Sequence, residues 1–255
     1  MTTNITDDRL ERLIIKATRA QWSSDRIDWS TEPLLPERLP HRIYVDMVSQ
    51  LYHAELAALE VLGRLVRELP EPQARRFLAI QIVDEQRHAD VYRQYLERLG
   101  DIAPIDPGLA AIFRFARETE LPAFAGVVAL NIVMEHEALA QQKQRIETLP
   151  CPLFGAINRA IVSDESRHAG FGVIYLAGAL PHAAHADRLE VAAWVRRLWA
   201  MWCEANEGRY AASGAEVLRL ERVHLGERWD LLAERLTGLG LATAEELAHP
   251  EGTCA

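Results

Sequence analysis

Ile82-Val83-Asp84-Glu85-Gln86-Arg87-His88-Ala89 returns as Val162-Ser163-Asp164-Glu165-Ser166-Arg167-His168-Ala169, and Asp-Glu-x-Arg-His-Ala is kept in both copies at an offset of 80 residues. On a helix, residues three apart share a face. Each copy therefore aims one carboxylate, Glu85 or Glu165, and one imidazole, His88 or His168, in a single direction, which is the pattern of a metal-binding pair. The repeat extends without a gap to Leu69-Pro70 and Leu149-Pro150, and to Tyr95-Leu96 and Tyr175-Leu176. Upstream it takes in Val48 and Val128, Ala58-Leu59 and Ala138-Leu139, and Glu55 and Glu135. Two copies of one helical hairpin account for all of it.

The prolines then select the upstream acids. Glu55 and Glu85 lie equally far in sequence from Pro70, as Glu135 and Glu165 do from Pro150. If each proline marks the turn of an antiparallel pair, both acids of a pair sit about 22 Å from the bend at about 1.5 Å rise per residue. Both also interrupt apolar stripes: Glu55 falls among Val48, Leu51, Tyr52, Leu59, Leu62 and Val66, and Glu135 among Val128, Ile132, Leu139, Gln142 and Ile146. Salt bridges on the surface of a duplicated hairpin would not explain that. Two hairpins packed face to face bring four carboxylates and two histidines to one level. Burying even one unpaired charge costs several kcal/mol, so the sequence calls for bound cations. Carboxylates with two imidazoles suit iron or manganese, as Fe/Fe, Fe/Mn or Mn/Mn, better than zinc.

Glu137 falls a rotation away from Glu135, beside Leu130, Met134 and Gln141, where an outer partner or an alternative ligand are both open. Asp84 and Asp164 each precede a ligand glutamate. They are candidates to accept a hydrogen bond from the ligand histidine of the opposite hairpin and so orient its ring, with Arg87 and Arg167 balancing their charge. His53 and Glu60 lie off the stripe and read as surface residues.

A glutamate from each of two helices and Glu-x-x-His from each of the other two is the pattern of ferritin-like di-iron or di-manganese proteins. Residues 40–180 of this chain resemble that di-iron carboxylate superfamily. The Asp-Glu-x-Arg-His spelling is more similar to the branch of the bacterial multicomponent monooxygenases and the ribonucleotide reductase small subunit than to ferritin. The resemblance implies an all-α fold: a ferritin-like four-helix bundle of two hairpins joined by a long crossover, with further helices at both ends. It implies a non-haem di-iron oxygenase that uses O2 to oxidise a small organic substrate by hydroxylation, N-oxygenation or desaturation. Electrons would come from a ferredoxin or flavoprotein reductase. Rival implications are a radical-generating subunit and a metal-storage or peroxide-detoxifying protein. Tyr92, one turn after His88, occupies the place of the radical tyrosine in the reductase small subunit; the other reading is a core tyrosine donating to a ligand carboxylate. Its repeat equivalent is Gly172, with Gly170 nearby. Helical glycines need a reason, either close packing or an opening beside one metal.

The 255 residues read as one domain, with the bundle at about 40–180, an N-terminal helix and arm at 1–39, and C-terminal helices at 186–248. A net charge of -9 argues against nucleic acid or an anionic membrane as the main partner. Cys151, Cys203 and Cys254 form no Cys-x-x-Cys pair; scattered thiols, with no basic-then-apolar leader, fit a cytoplasmic protein. No apolar run is long enough to span a bilayer.

Asp7 and Asp8 read as caps of a first helix ending near Trp22. Residues 23–40, with Pro33, Pro36 and Pro40, read as an arm packed through Trp29, Leu34 and Leu35. The four bundle helices are expected at about 42–68, 72–99, 122–148 and 152–179, with a short helix at 109–117 in the crossover. Val191, Trp194, Val195, Leu198, Trp199 and Trp202 give a later helix an apolar face that needs cover, from the bundle or from a second copy in a homodimer. Residues 214–238 read as helical, and Thr243-x-x-Glu246 as a capping box.

Overall fold

A computed structural model describes residues 5–37, 39–210 and 215–248. The helices follow in the order α1 (Ile5–Arg19), α2 (His41–Glu68), α3 (Pro72–Leu99), α4 (Pro107–Glu118) and α5 (Phe124–Val127), then a π-helical segment (Val128–Met134), α6 (Glu135–Thr148), α7 (Pro152–Ala179), α8 (His185–Tyr210) and α9 (Ala215–Gly238). The described residues are helical with no strand. None of these helices is long and apolar enough to cross a membrane.

Helix ends fall where local chemistry puts them. Pro72 occupies the first turn of α3, where a missing N–H costs nothing. Gly100 ends that helix with a φ of 98°, a left-handed conformation that glycine takes without penalty. Asp106 caps α4, its carboxylate accepting from the Leu109 N–H at 3.0 Å. The Thr243 and Glu246 side chains and N–H groups bond reciprocally, as a capping box does.

The chain divides into two compact units. The first comprises the described residues through Ile105 together with Leu130–Tyr175. In it α2 and α3 pack along one another and α1 lies on α3. Its core includes Tyr44 and Val48 from α2, Tyr95 and Leu96 from α3, and Phe154 and Ile157 from α7. The second unit comprises Asp106–Ala129 and the described residues from Leu176 onward. There α8 packs against α4 and α9: Phe115 lies 6.4 Å from Trp194 and Trp229 5.7 Å from Trp199, centroid to centroid. Within this unit, α4 and α9 therefore cover the tryptophan face, which was expected to need the bundle or a second copy.

Several local expectations change. The first helix already includes Ile5 and stops at Arg19, so Asp7 and Asp8 lie within it rather than capping it. Leu34 and Leu35 are exposed, while Trp29 packs on the core. His53 is bonded to the Ala103 carbonyl at 2.9 Å and so fastens the chain after α3 instead of lying free on the surface. The helix expected at about 122–148 is interrupted by the π segment. Cys151 is a buried free thiol.

Candidate metal centre

Glu55 on α2, Glu85 and His88 on α3, Glu135 on α6, and Glu165 and His168 on α7 are all buried. Their donor atoms form two overlapping groups: Glu55, Glu85, His88 and Glu165 in one, and Glu85, Glu135, Glu165 and His168 in the other. Within each group the atoms lie within 4.8 Å of one another, a spacing that could hold a metal ion. Glu85 and Glu165 belong to both. Glu137, half-buried, belongs to neither, so an inner place for it does not follow.

Each imidazole turns Nδ1 towards the carboxylates. His88 Nδ1 lies 3.2 Å from Glu85 Oε2, 3.5 Å from Glu165 Oε1 and 3.7 Å from Glu55 Oε2. His168 Nδ1 lies 2.9 Å from Glu165 Oε2, 3.3 Å from Glu85 Oε1 and 3.4 Å from Glu135 Oε1. Each shared glutamate thus presents one oxygen to each histidine, as a bridging carboxylate does. Glu55 and Glu135 close the two ends.

The far nitrogen of each ring reaches an aspartate on the helix that carries the other histidine. His88 Nε2 is 3.0 Å from Asp164 Oδ2, and His168 Nε2 is 3.2 Å from Asp84 Oδ2. A carboxylate only accepts, so Nε2 carries the proton and Nδ1 keeps its lone pair for the centre when a cation is there. Arg87 ties the aspartates together, donating to Asp84 and, at 3.0 Å, to Asp164. Arg167 donates to Asp164.

Sequence reasoning missed the cover on this layer. Trp22 Nε1 donates to Asp164 Oδ2 and Gln21 Nε2 to Asp84 Oδ1, both at 2.7 Å. The Arg87 guanidinium lies 4.6 Å from the Trp22 ring centroid and donates to Gln21 Oε1 at 2.9 Å. The Trp22 ring also stacks at 6.4 Å on His88. Trp22 and Gln21 lie outside the repeat, so nothing in its register pointed to them.

A second omission lay within reach. Gln81 and Asn131 each sit one turn before a site glutamate on the same helical face. Their repeat equivalents, Ile161 and Leu51, are apolar. Gln81 Nε2 donates to Glu85 Oε1 at 2.9 Å and to Glu135 Oε1 at 2.8 Å, and Gln81 Oε1 accepts from Asn131 Nδ2 at 2.9 Å. Tyr92, fully buried, donates to Asn158 Oδ1 at 3.2 Å rather than to a site carboxylate. The close-packing reading holds for Gly172, where an added Cβ would meet Asn131 Cβ at 2.7 Å. It fails for Gly170, where a Cβ would meet nothing within 4 Å.

Electrostatics show how the cluster compensates with protons. Burial raises Glu55 well above the usual carboxylate range against the pull of His88. It raises Glu135 likewise, with the charges of Glu165 and Glu85 adding to the effect. Burial opposes the ionisation of Glu85 too, but the charge of His168 and the bonds from His88 and Gln81 bring it down to about 2. Burial likewise disfavours the charged form of both imidazoles, yet the carboxylates around them hold both well above the ordinary histidine range. Asp164 is lowered, its burial outweighed chiefly by the bond from His88. Protonation is thus favoured at Glu55, Glu135 and the two imidazoles, all of them groups that a cation would use, and each of the two donor groups could hold a metal ion.

No protein-family model matches the chain, and no curated protein matches it.

Proposed function

We propose that the chain is a ferritin-like, dinuclear non-haem oxygenase, with the helices bearing the site arranged as a four-helix bundle, and that it uses O2 to oxidise a small organic substrate by hydroxylation, N-oxygenation or desaturation. One observation carries the reading: two overlapping buried groups, each with one imidazole, share Glu85 and Glu165. Each group could hold one ion, and the two would draw on the same pair of carboxylates. Oxygen and nitrogen donors of this kind suit iron or manganese, and when bound such a pair supplies one- and two-electron redox chemistry towards O2.

The chain's own residues provide the rest. With ions bound, Glu85 and Glu165 would serve both groups, Glu55 and Glu135 one group each, and His88 and His168 would ligate through Nδ1. Asp164 and Asp84 hold the proton on each Nε2 and fix the ring planes. Arg87, Gln21 and Trp22 close the aspartate layer against water. Electrons come from an external ferredoxin or flavoprotein.

A second reading, a radical-generating subunit, draws on Tyr92, whose burial and hydrogen bond to Asn158 isolate the phenol. Elemental analysis of the purified chain, followed by O2 uptake of the reduced protein with a panel of small aromatic amines, phenols and fatty acids, tests the proposal. Substrate-dependent O2 consumption with an oxidised product supports it. A tyrosyl signal in electron paramagnetic resonance without product favours the second reading, and metal uptake with neither favours storage. A chain that takes up no metal sinks all three.

A further inference from the structure

The two groups share their bridging carboxylates but are not equivalent. The oxygens that face His168 Nδ1 include Glu85 Oε1 and Glu135 Oε1, and both accept an N–H from Gln81. At the His88 end, the position related to Gln81 is Ile161, which carries no donor. The Gln81 amide has only one workable orientation. Its NH2 must face the two carboxylates, because its oxygen would be repelled there, and its oxygen then meets Asn131 Nδ2.

Asn131 is held in turn. Its Nδ2 also donates to the His168 carbonyl at 3.2 Å, while its Oδ1 finds no partner among the described residues. It sits in the π-helical segment and packs where Gly172 lacks a side chain. π-helical turns within α-helices often accompany functional sites. Here the turn, the glycine and the two amides form one chain of contacts that ends on the two oxygens.

We propose that Gln81 is a positioning residue that makes the two metal positions unequal, so that the first divalent ion settles in the His88 group and the His168 group fills second and more weakly. This rests on the metal-centre reading above. An ion in the His168 group must share Glu85 Oε1 and Glu135 Oε1 with two N–H donors. Those donors withdraw electron density from the oxygens and set partial positive charge beside the cation. An ion in the His88 group meets Glu55, Glu165 and the other oxygen of Glu85 without that competition.

The test is calorimetric titration of the metal-free full chain with Mn(II), joined to anomalous diffraction from crystals holding one equivalent. The inference expects two steps about 10- to 100-fold apart, the usual reach of an outer partner on metal affinity, and a single anomalous peak beside His88. Equal steps, or a first peak beside His168, overturn it while leaving the metal-centre reading in place. Absence of binding overturns that reading and the inference together. In Gln81→Leu the gap between the two steps should narrow, whereas Gln81→Glu should tighten the second step. Unchanged steps in a Gln81→Leu protein with wild-type circular dichroism remove the role assigned to Gln81. The wild-type diffraction result decides the order of filling even if both variants fail to fold.

Discussion

The half of the centre around His88 and the half around His168 share their inner donors and differ in almost everything that touches them. Both have an unshared glutamate, both use Nδ1, and both send Nε2 across to the other hairpin's aspartate. Beyond that, His88 is flanked by Trp22, with Tyr92 and Asn158 further along. His168 is flanked by Phe77 in an edge-on arrangement, with Gln81 and Asn131 on its carboxylate side. The duplication stays visible in the six donors and in the two aspartates behind them. The layer behind answers only to packing and polarity, and there the copies have diverged.

The sharpest way to break the comparison is to remove a donor that both halves use. Glu165→Gln should cost the chain both ions, because each group loses one of its carboxylates. Glu135→Gln should cost only the ion beside His168. Elemental analysis after metal loading and desalting should fall from about two ions per chain to well under one in the first variant and to about one in the second. Loading the wild-type chain at about 100 times the dissociation constant should add roughly 2.7 kcal/mol per site. At roughly 2–4 °C per kcal/mol for a chain of this size, the rise in melting temperature should be plain, and Glu165→Gln should show almost none of it.

The crossed hydrogen bonds make a less obvious prediction. Asp164→Asn, a change on the second hairpin, should weaken the ion held by His88 of the first, and Asp84→Asn the ion held by His168. A loss of about 10- to 100-fold is expected in each case. Asp164 should show the larger loss, since it receives His88, Trp22, Arg87 and Arg167, whereas Asp84 receives His168, Gln21 and Arg87. Equal weakening of both ions by either variant would mean that the crossing has no functional weight.

These contrasts also mark what the sequence could disclose. The six inner residues and the two aspartates were legible because register, proline spacing and interrupted apolar stripes all constrain one periodic element. Gln81 and Asn131 were legible in principle, as polar residues one turn before a site glutamate where the other copy has Ile161 and Leu51. The π-helical segment was not, since Val128–Met134 is apolar at every position but Asn131 and carries no periodicity that could betray a change of helix type. Trp22 and Gln21 were out of reach because α1 belongs to neither repeat, and tertiary packing alone brings it over Asp84 and Asp164. The cover on the tryptophan face by α4 and α9 lay beyond any local pattern for the same reason.

Two glycines two residues apart on α7 sharpen the point about Gly172. Gly172→Ala drives a Cβ to 2.7 Å from Asn131 Cβ and 3.1 Å from its carbonyl oxygen, so something must shift, at about 1–3 kcal/mol. Gly170→Ala meets nothing within 4 Å and should stabilise α7 by about 1 kcal/mol through helix propensity alone. Thermal denaturation of the metal-free proteins should therefore move in opposite directions. A destabilised Gly170→Ala would restore the idea that open space there serves a ligand.

A further contrast comes from making one half imitate the other. Phe77 beside His168 is a ring without a donor, while Trp22 beside His88 is a ring whose N–H reaches Asp164 at 2.7 Å. Trp22→Phe keeps an aromatic surface for His88 and Arg87 and deletes only that hydrogen bond. Asp164 retains His88, Arg87 and Arg167, so the carboxylate is not abandoned. The cost to stability should be near that of one hydrogen bond to a charged group, about 1.5–3 kcal/mol, and its effect on metal should be confined to the His88 group. A drop of up to about 10-fold in the tighter manganese step, with the weaker step unmoved, is the expected result of titration. If both steps weaken together, Trp22 acts on the fold of the whole aspartate layer, and the two halves are coupled more tightly than their separate hydrogen bonds imply.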